Sequence, residues 1–246
     1  MEITINYNMT GLLNIALEAH GGLERWNMVQ GVHAKAEMGG VIWAVKSRPD
    51  VLKIVELEAA TKIERLTMLF PGQHKQTIFE GSAVTINKDG ESPEIWKNPV
   101  ATFEGHTLET PWQDVHVAYF SGEAMWTYLN IPFLFTYPGV VTEEIEPWQE
   151  DGETWRRLKI TFPDTIITHS KEQVAFFGPD GLVRRHDYAV NVLGGSTGAR
   201  YCSNYQNVDG ILIPASHKVY GYQGDHVVQK EPVLVAIELS VLSLVR

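Results

Sequence analysis

Arg184, His186 and Tyr188 recur at every second position of the run Leu182–Val190. In an extended strand that spacing puts them on one face with Leu182 and Val190, and puts Asp187 on the other with Val183 and Ala189. Either face could point inward. If the Leu182 face does, a cation, an imidazole and a phenol project in a row. Such a row binds a carboxylate or carbonyl head group, or transfers a proton, since imidazole titrates near neutrality. The plainer reading is that His186 and Tyr188 only hydrogen-bond to neighbouring strands or water. Glu123 is the other acid–base candidate. Buried among Tyr119, Trp126 and Phe133 it would have a raised pKa and serve as a general acid or base; solvated in the first turn of a helix it would only complement the dipole.

Other chemistries lack their residue pattern. The nine histidines show no H-x-x-x-H, no H-E-x-x-H and no partner cysteines, so neither a metal nor another cofactor is expected. His106 and His116, like His217 and His226, are too loosely spaced to read as ligand pairs. The run Gly194-Gly195-Ser196-Thr197-Gly198 has no helix after it, and so reads as a hairpin loop in place of a phosphate cradle. No serine stands in the strand-to-helix elbow that exposes a nucleophile. Cys202 is the only cysteine, so no intramolecular disulfide can form, which fits a reducing compartment.

Composition narrows the partners. A formal net charge of −10, with no basic cluster interleaved with aromatics, argues against nucleic acid. No apolar run approaches the roughly 20 residues of a membrane helix. Residues 1–8 show no basic start, apolar core or cleavage site, so a cytoplasmic protein is expected and the Asn8-Met9-Thr10 sequon is read as chance.

The elements that must position these groups are mostly strands. Asp89-Gly90, Asp151-Gly152, Asp180-Gly181 and Asp209-Gly210 lie between β-rich runs, and Gly39-Gly40 makes a similar break. Asp-Gly supplies the positive-φ positions of tight hairpin turns, so the 246 residues read as one long antiparallel meander in one domain. Expected strands include Val32–Met38, Val41–Ser47, Leu182–Val190, Ala199–Val208, Ile211–Tyr222 and Val233–Val245. Leu12, Ile15, Ala16 and Ala19 predict a helix over Thr10–His20. Glu91–Pro111 reads as a loop or lid. Tyr119–Gly139 reads as an aromatic plug, with a helix capped by Ser121, ended by Pro132 and continued as an extended stretch through Phe133, Phe135 and Tyr137. An aromatic stripe is often plain core. Two helices, however, cannot fill a strongly curved sheet of this many strands, which makes Trp43, Tyr119, Trp126, Phe133, Phe135 and Arg184 candidate linings of a residual cavity.

Four blocks carry a resemblance: Ala19–Trp26 (AHGGLERW), Tyr119–Phe133 (YFSGEAMWTYLNIPF), Gly181–Tyr188 (GLVRRHDY) and Val208–Pro214 (VDGILIP). They are similar to a largely uncharacterised family of soluble bacterial proteins that resembles the lipoprotein-carrier superfamily typified by LolA and LolB. The resemblance implies an unclosed antiparallel half-barrel around helices, with a concave apolar cavity that takes acyl chains in the carriers. Two departures stand out: no signal peptide is visible, which speaks against a periplasmic shuttle, and Glu123 stands where such relatives often have Tyr.

The sequence therefore predicts a mainly β, LolA-like half-barrel over two or three helices that binds a hydrophobic or amphipathic small molecule. The alternative is a cofactor-independent cyclase, isomerase or lyase using Glu123, His186 and Tyr188. A third class is an oligomerising interaction module with a filled core.

Overall fold

The computed structural model describes residues 11–246; Thr10 and the Asn8 sequon lie outside the described residues. The strands are β1 (Gly31–Gly39), β2 (Val55–Ala60), β3 (Leu66–Phe70), β4 (Lys75–Glu80), β5 (Ala83–Lys88), β6 (Glu94–Trp96), β7 (Val141–Glu150), β8 (Glu153–Thr161), β9 (Glu172–Phe177), β10 (Val183–Val190), β11 (Ser196–Val208), β12 (Ile211–Gln223), β13 (Val227–Gln229) and β14 (Val235–Val245). The helices are α1 (Gly11–Ala19), α2 (Leu23–Asn27), α3 (Val41–Val45) and α4 (Asp114–Asn130). All described strands join one open, antiparallel, 14-stranded sheet, with β6 and β7 at its edges.

The Asp-Gly turns close hairpins as expected. Asp151 and Gly152 have φ of 51° and 79°, and Asp209 and Gly210 have 50° and 88°, both residues of each pair lying in the left-handed region that a tight primed turn requires. The reading of one continuous meander needs correction. Neighbouring strands run in sequence from β6 back to β1, and from β12 to β7, but the two series meet where β14 pairs with β1, Gly31 opposite Val245 and Gly39 opposite Ala236. Residues 97–140 between β6 and β7 hold α4, so no hairpin joins those strands and each is left at an edge.

Strand faces follow the alternation in sequence. In β1, Val32, Ala34, Ala36 and Met38 are buried in the core, while Lys35 and Glu37 are exposed. α4 lies along β2–β5 on the core side, and every residue from Val115 to Asn130 is buried. A helix apolar on all sides is a core helix, and this one fills one side of the sheet's trough. Gly122 sets its approach: a Cβ there would meet Phe79 Cβ at 2.4 Å.

Three local expectations are overturned. Val41–Ser47 is not a strand, because Val41–Val45 forms α3, and Gly39-Gly40 is a strand-to-helix turn with no hairpin. Five apolar residues suit either period; here the amides of Val41 and Ile42 reach the carbonyls of Val233 and Leu234 at 3.1 and 3.2 Å, and Gly40, at φ 113°, packs where a Cβ would lie 2.3 Å from Leu234 O. The second correction concerns α4, which begins at Asp114, so Ser121 is inside the helix and Glu123 is far from its first turn. Asp114 supplies the first-turn charge, paired with Arg48 and, at 3.2 Å, with Lys75. Third, Phe133–Thr136 is a turn of 3-10 helix, not an extended stretch. Glu91–Pro111 likewise holds β6 and a short 3-10 helix at Pro99–Phe103, and the buried Lys46 ammonium fastens it by donating to the carbonyls of Thr107 and Leu108 at 3.0 and 2.6 Å.

Candidate functional site

α4 covers the N-terminal half of the sheet and leaves a space against the C-terminal strands. That space is a cavity of about 390 Å³. α4 turns Phe120, Ser121, Ala124, Met125 and Tyr128 toward it, a spacing of i, i+3, i+4 and i+7 that marks one helix stripe. The sheet supplies Met38, Val190, Val219, Val235 and Ile237, α3 supplies Ile42 and Trp43, and the fastened loop supplies Leu108. These walls are apolar. Polar side chains also line it: Ser121, Tyr128, His169 and Tyr188, with Thr197, Gln223 and Gln229 from the strands.

The hydroxyls of Tyr128 and Tyr188 hydrogen-bond to each other. Burial raises both phenols, Tyr128 to about 12, so both stay protonated at neutral pH. His169, from the loop between β8 and β9, lies with its ring centroid 4.9 Å from that of Tyr188. Its Nδ1 is 2.7 Å from Glu123 Oε1, and both side chains are buried. A carboxylate only accepts, so Nδ1 is the donor of this bond. The Tyr119 hydroxyl also bonds Glu123, and burial pushes the Tyr119 phenol up. On the far side of His169, a second cavity of about 270 Å³ is lined by Tyr119, Glu123 and Ile167. Glu64, near Glu123, has its carboxyl raised to about 8 by burial, although it accepts the Ile167 amide at 2.9 Å.

Behind the Tyr128 ring lies a buried basic cluster. Arg200 is 1% exposed, stacks under Tyr128 at 4.0 Å, and has Nη1 3.5 Å from His217 Nδ1. His186 stands opposite Arg200 on β10 with no hydrogen-bond partner on either ring nitrogen. Burial first, and Arg200 second, hold His186 and His217 well below the usual imidazole range, so both are neutral.

The expected site residues therefore separate. Trp43 and Tyr188 line the main cavity, whereas Tyr119 and Glu123 line the second. Trp126 is core: its indole donates to the carbonyls of Ala60 and Ile63 at 2.9 and 3.2 Å. Phe133 stacks on Trp26 at 4.3 Å, and Phe135 packs on Phe162. Arg184 does not share the face of His186 and Tyr188. A bulge between Val183 and Arg185 breaks the period of two, and Arg184 turns to Asp180 at 2.8 Å. His186 is on the inner face but sealed from both cavities, so the acid–base row read from Leu182–Val190 is not assembled there. Of Gly194–Gly198, expected as a hairpin loop, only Gly194 and Gly195 lie in the β10–β11 connection; Ser196, Thr197 and Gly198 begin β11 and pair with Val190, Ala189 and Tyr188, and the Ser196 hydroxyl donates to Leu193 O at 2.8 Å. His169 and Arg200 went unsingled in sequence: one stands in a loop without periodicity, and the other is one basic residue of an ordinary strand. Tyr128 was not singled out either; the signal that could have found it is its place seven residues after Ser121 on one helix stripe. Among the described residues no His, Cys, Asp and Glu side chains gather in threes that could hold a metal.

Solved structures share this architecture. A LolA superfamily protein from Nitrosomonas europaea matches at TM-score 0.50 and 11% identity over 94% of this chain and 92% of its own. The chain has the LolA-like fold. A DUF1329 family protein from Desulfovibrio piger matches the half-barrel at TM-score 0.52 and 12% identity, over 95% and 91% of the two chains. A domain from Vibrio parahaemolyticus assigned to outer-membrane lipoprotein sorting matches it at TM-score 0.53 and 10% identity, over 94% and 91%. No family model and no curated protein matches the chain. At these identities the LolA-like half-barrel is a likeness of fold.

Proposed function

We propose that this half-barrel binds a hydrophobic or amphipathic small molecule in the cavity between α4 and β10–β14. The observation that carries the reading is the cavity itself: about 390 Å³ of space with mostly apolar walls, in which the hydroxyls of Tyr128 and Tyr188 meet. A protein interior is normally packed to leave few voids larger than a water molecule, and ligand sites are concave, mostly apolar and oriented by a few polar groups. The lipoprotein-sorting assignment of a structure with the same fold is consistent with it. The test uses the uncharged probe N-phenyl-1-naphthylamine. It should bind saturably, brighten on binding and raise the melting temperature by mass action. Ala124→Phe, which fills the cavity from the α4 wall, should fold and lose the probe. A wild-type protein that leaves the probe dim and its own melting unchanged would remove this reading.

A second reading rests on His169. A carboxylate on Nδ1 of a histidine that lines the cavity is the arrangement that orients an imidazole as a general base. With Tyr188 beside it, Glu123 and His169 could move a proton in a cofactor-independent cyclisation, isomerisation or elimination. His169→Gln and Glu123→Gln should then each lower turnover by about 10²–10⁴-fold. Turnover surviving both substitutions would eliminate it.

A further inference from the structure

We propose that the ligand is an anionic amphiphile, a carboxylate-headed chain, whose head is received by the Tyr128 and Tyr188 hydroxyls and held there by the charge of the buried Arg200. This rests on the cavity being a ligand site.

Among the described residues two arginines are fully buried, and they are treated differently. Arg185, on the outer face, has Asp187 at 2.7 and 2.6 Å and Glu150 at 2.9 Å. Arg200, on the inner face, has no carboxylate within ion-pair distance among the described residues, and its Nε has no hydrogen-bond partner. The carboxylates that act on the tyrosines are already engaged. Both oxygens of Asp187 are taken by Arg185, and one also by His226, on the far side of the sheet. Glu123 is held by His169 and Tyr119. In a chain with 30 acidic and 20 basic residues, a carboxylate for Arg200 was not scarce; the cation is left uncompensated at one place. A buried charge without a counter-charge is strongly unfavourable, and the face of one phenol offsets only part of that.

The register puts this cation against the cavity. Arg200 follows Gly198 on the same face of β11 and stands directly across from Val219 on β12, and both Gly198 and Val219 line the cavity. The Tyr128 ring, which lines the cavity, stacks on the guanidinium at 4.0 Å. On the cavity side, Tyr128 and Tyr188 share a single hydrogen bond, so of their two hydroxyl protons one is left without an acceptor among the described residues. The Ser121 hydroxyl on the same wall also lacks a partner. The cavity thus offers spare donors backed by a positive charge. A neutral alcohol head uses the donors alone; a carboxylate uses the donors and the charge, and a cationic head is repelled.

Isothermal titration with dodecanoate, 1-dodecanol and dodecylamine, each below its aggregation concentration, separates these cases. The expected order is dodecanoate tighter than dodecanol by about tenfold to a hundredfold, the span of one charge-assisted hydrogen bond, with dodecylamine weakest. Arg200→Met should close the gap between acid and alcohol, and Arg200→Lys, which keeps the charge, should retain most of it. Equal binding of acid and alcohol by the wild type, or a gap that persists in Arg200→Met, overturns the proposal and leaves the cavity reading standing. Binding of none of the three overturns both. If Arg200→Met does not fold, the wild-type order of the three heads decides alone.

Discussion

Lowering the pH from about 7.5 to about 5.5 should strip stability from the Glu64→Gln variant, and three histidines set the amount. His20, His186 and His217 are each at most 1% exposed. Burial lowers His20 to about 4, and burial with the Arg200 charge puts His186 and His217 well below 6.5. Unfolded, all three take up a proton around pH 6.5; folded, they stay neutral. The unfolded state therefore binds more protons as the pH falls from 6.5 toward the folded values, and stability is lost in that direction. At pH 5.5 each histidine removes on the order of 1 kcal/mol, and the three together a few kcal/mol. His116, also lowered by burial, adds in the same sense. Glu64 works the other way. Its folded value is raised from 4.5 to about 8, so it favours the fold at low pH and loses that contribution as the pH rises from 4.5 to 8. In the wild type it would mask about half of the histidine effect across this window. Glutamine keeps an acceptor for the Ile167 amide and removes the titration. Urea unfolding followed by circular dichroism at three pH values gives the slope directly. A loss below about 1 kcal/mol in Glu64→Gln would refute the reasoning, because the histidines would then be charging inside the fold.

Two further substitutions probe packing and the cavity wall. Gly122→Ala should lower stability by about 2 kcal/mol, since its Cβ would fall 2.4 Å from Phe79 Cβ, while Gly105→Ala should cost less than about 1 kcal/mol, since there the strain comes only from φ 74° and no described atom lies within 4 Å; chemical denaturation of both checks it. A bromine-labelled dodecanol should quench tryptophan emission through Trp43, so that Trp43→Phe abolishes most of the quenching and Trp126→Phe leaves it; the reverse result would place the ligand on the other side of α4.

Local chemistry carried a large part of the fold. Positive-φ pairs at Asp151-Gly152 and Asp209-Gly210 admit a tight primed turn and little else, so the hairpins there were legible residue by residue. The alternation of Val32, Ala34, Ala36 and Met38 against Lys35 and Glu37 likewise determined which side of β1 is core. Short apolar runs were not decided locally: Val41–Val45 is helical because its first amides are taken by Val233 and Leu234, nearly 200 residues away. The pairing of β1 with β14, which turns two meanders into one open sheet, also depends on contacts between the two ends of the described chain. The site divides along the same line. Glu123 and Tyr188 could be singled out by residue type and spacing, but a bulge at Val183–Arg185 removed Arg184 from their company, and only the folded chain brings His169 to Glu123 and seals His186 behind Tyr128. Period and turn chemistry act between neighbours in sequence and are written there. Burial, and with it the charge state of a histidine or the isolation of Arg200, depends on which distant strand and helix close over a side chain, and that is settled only in the tertiary structure.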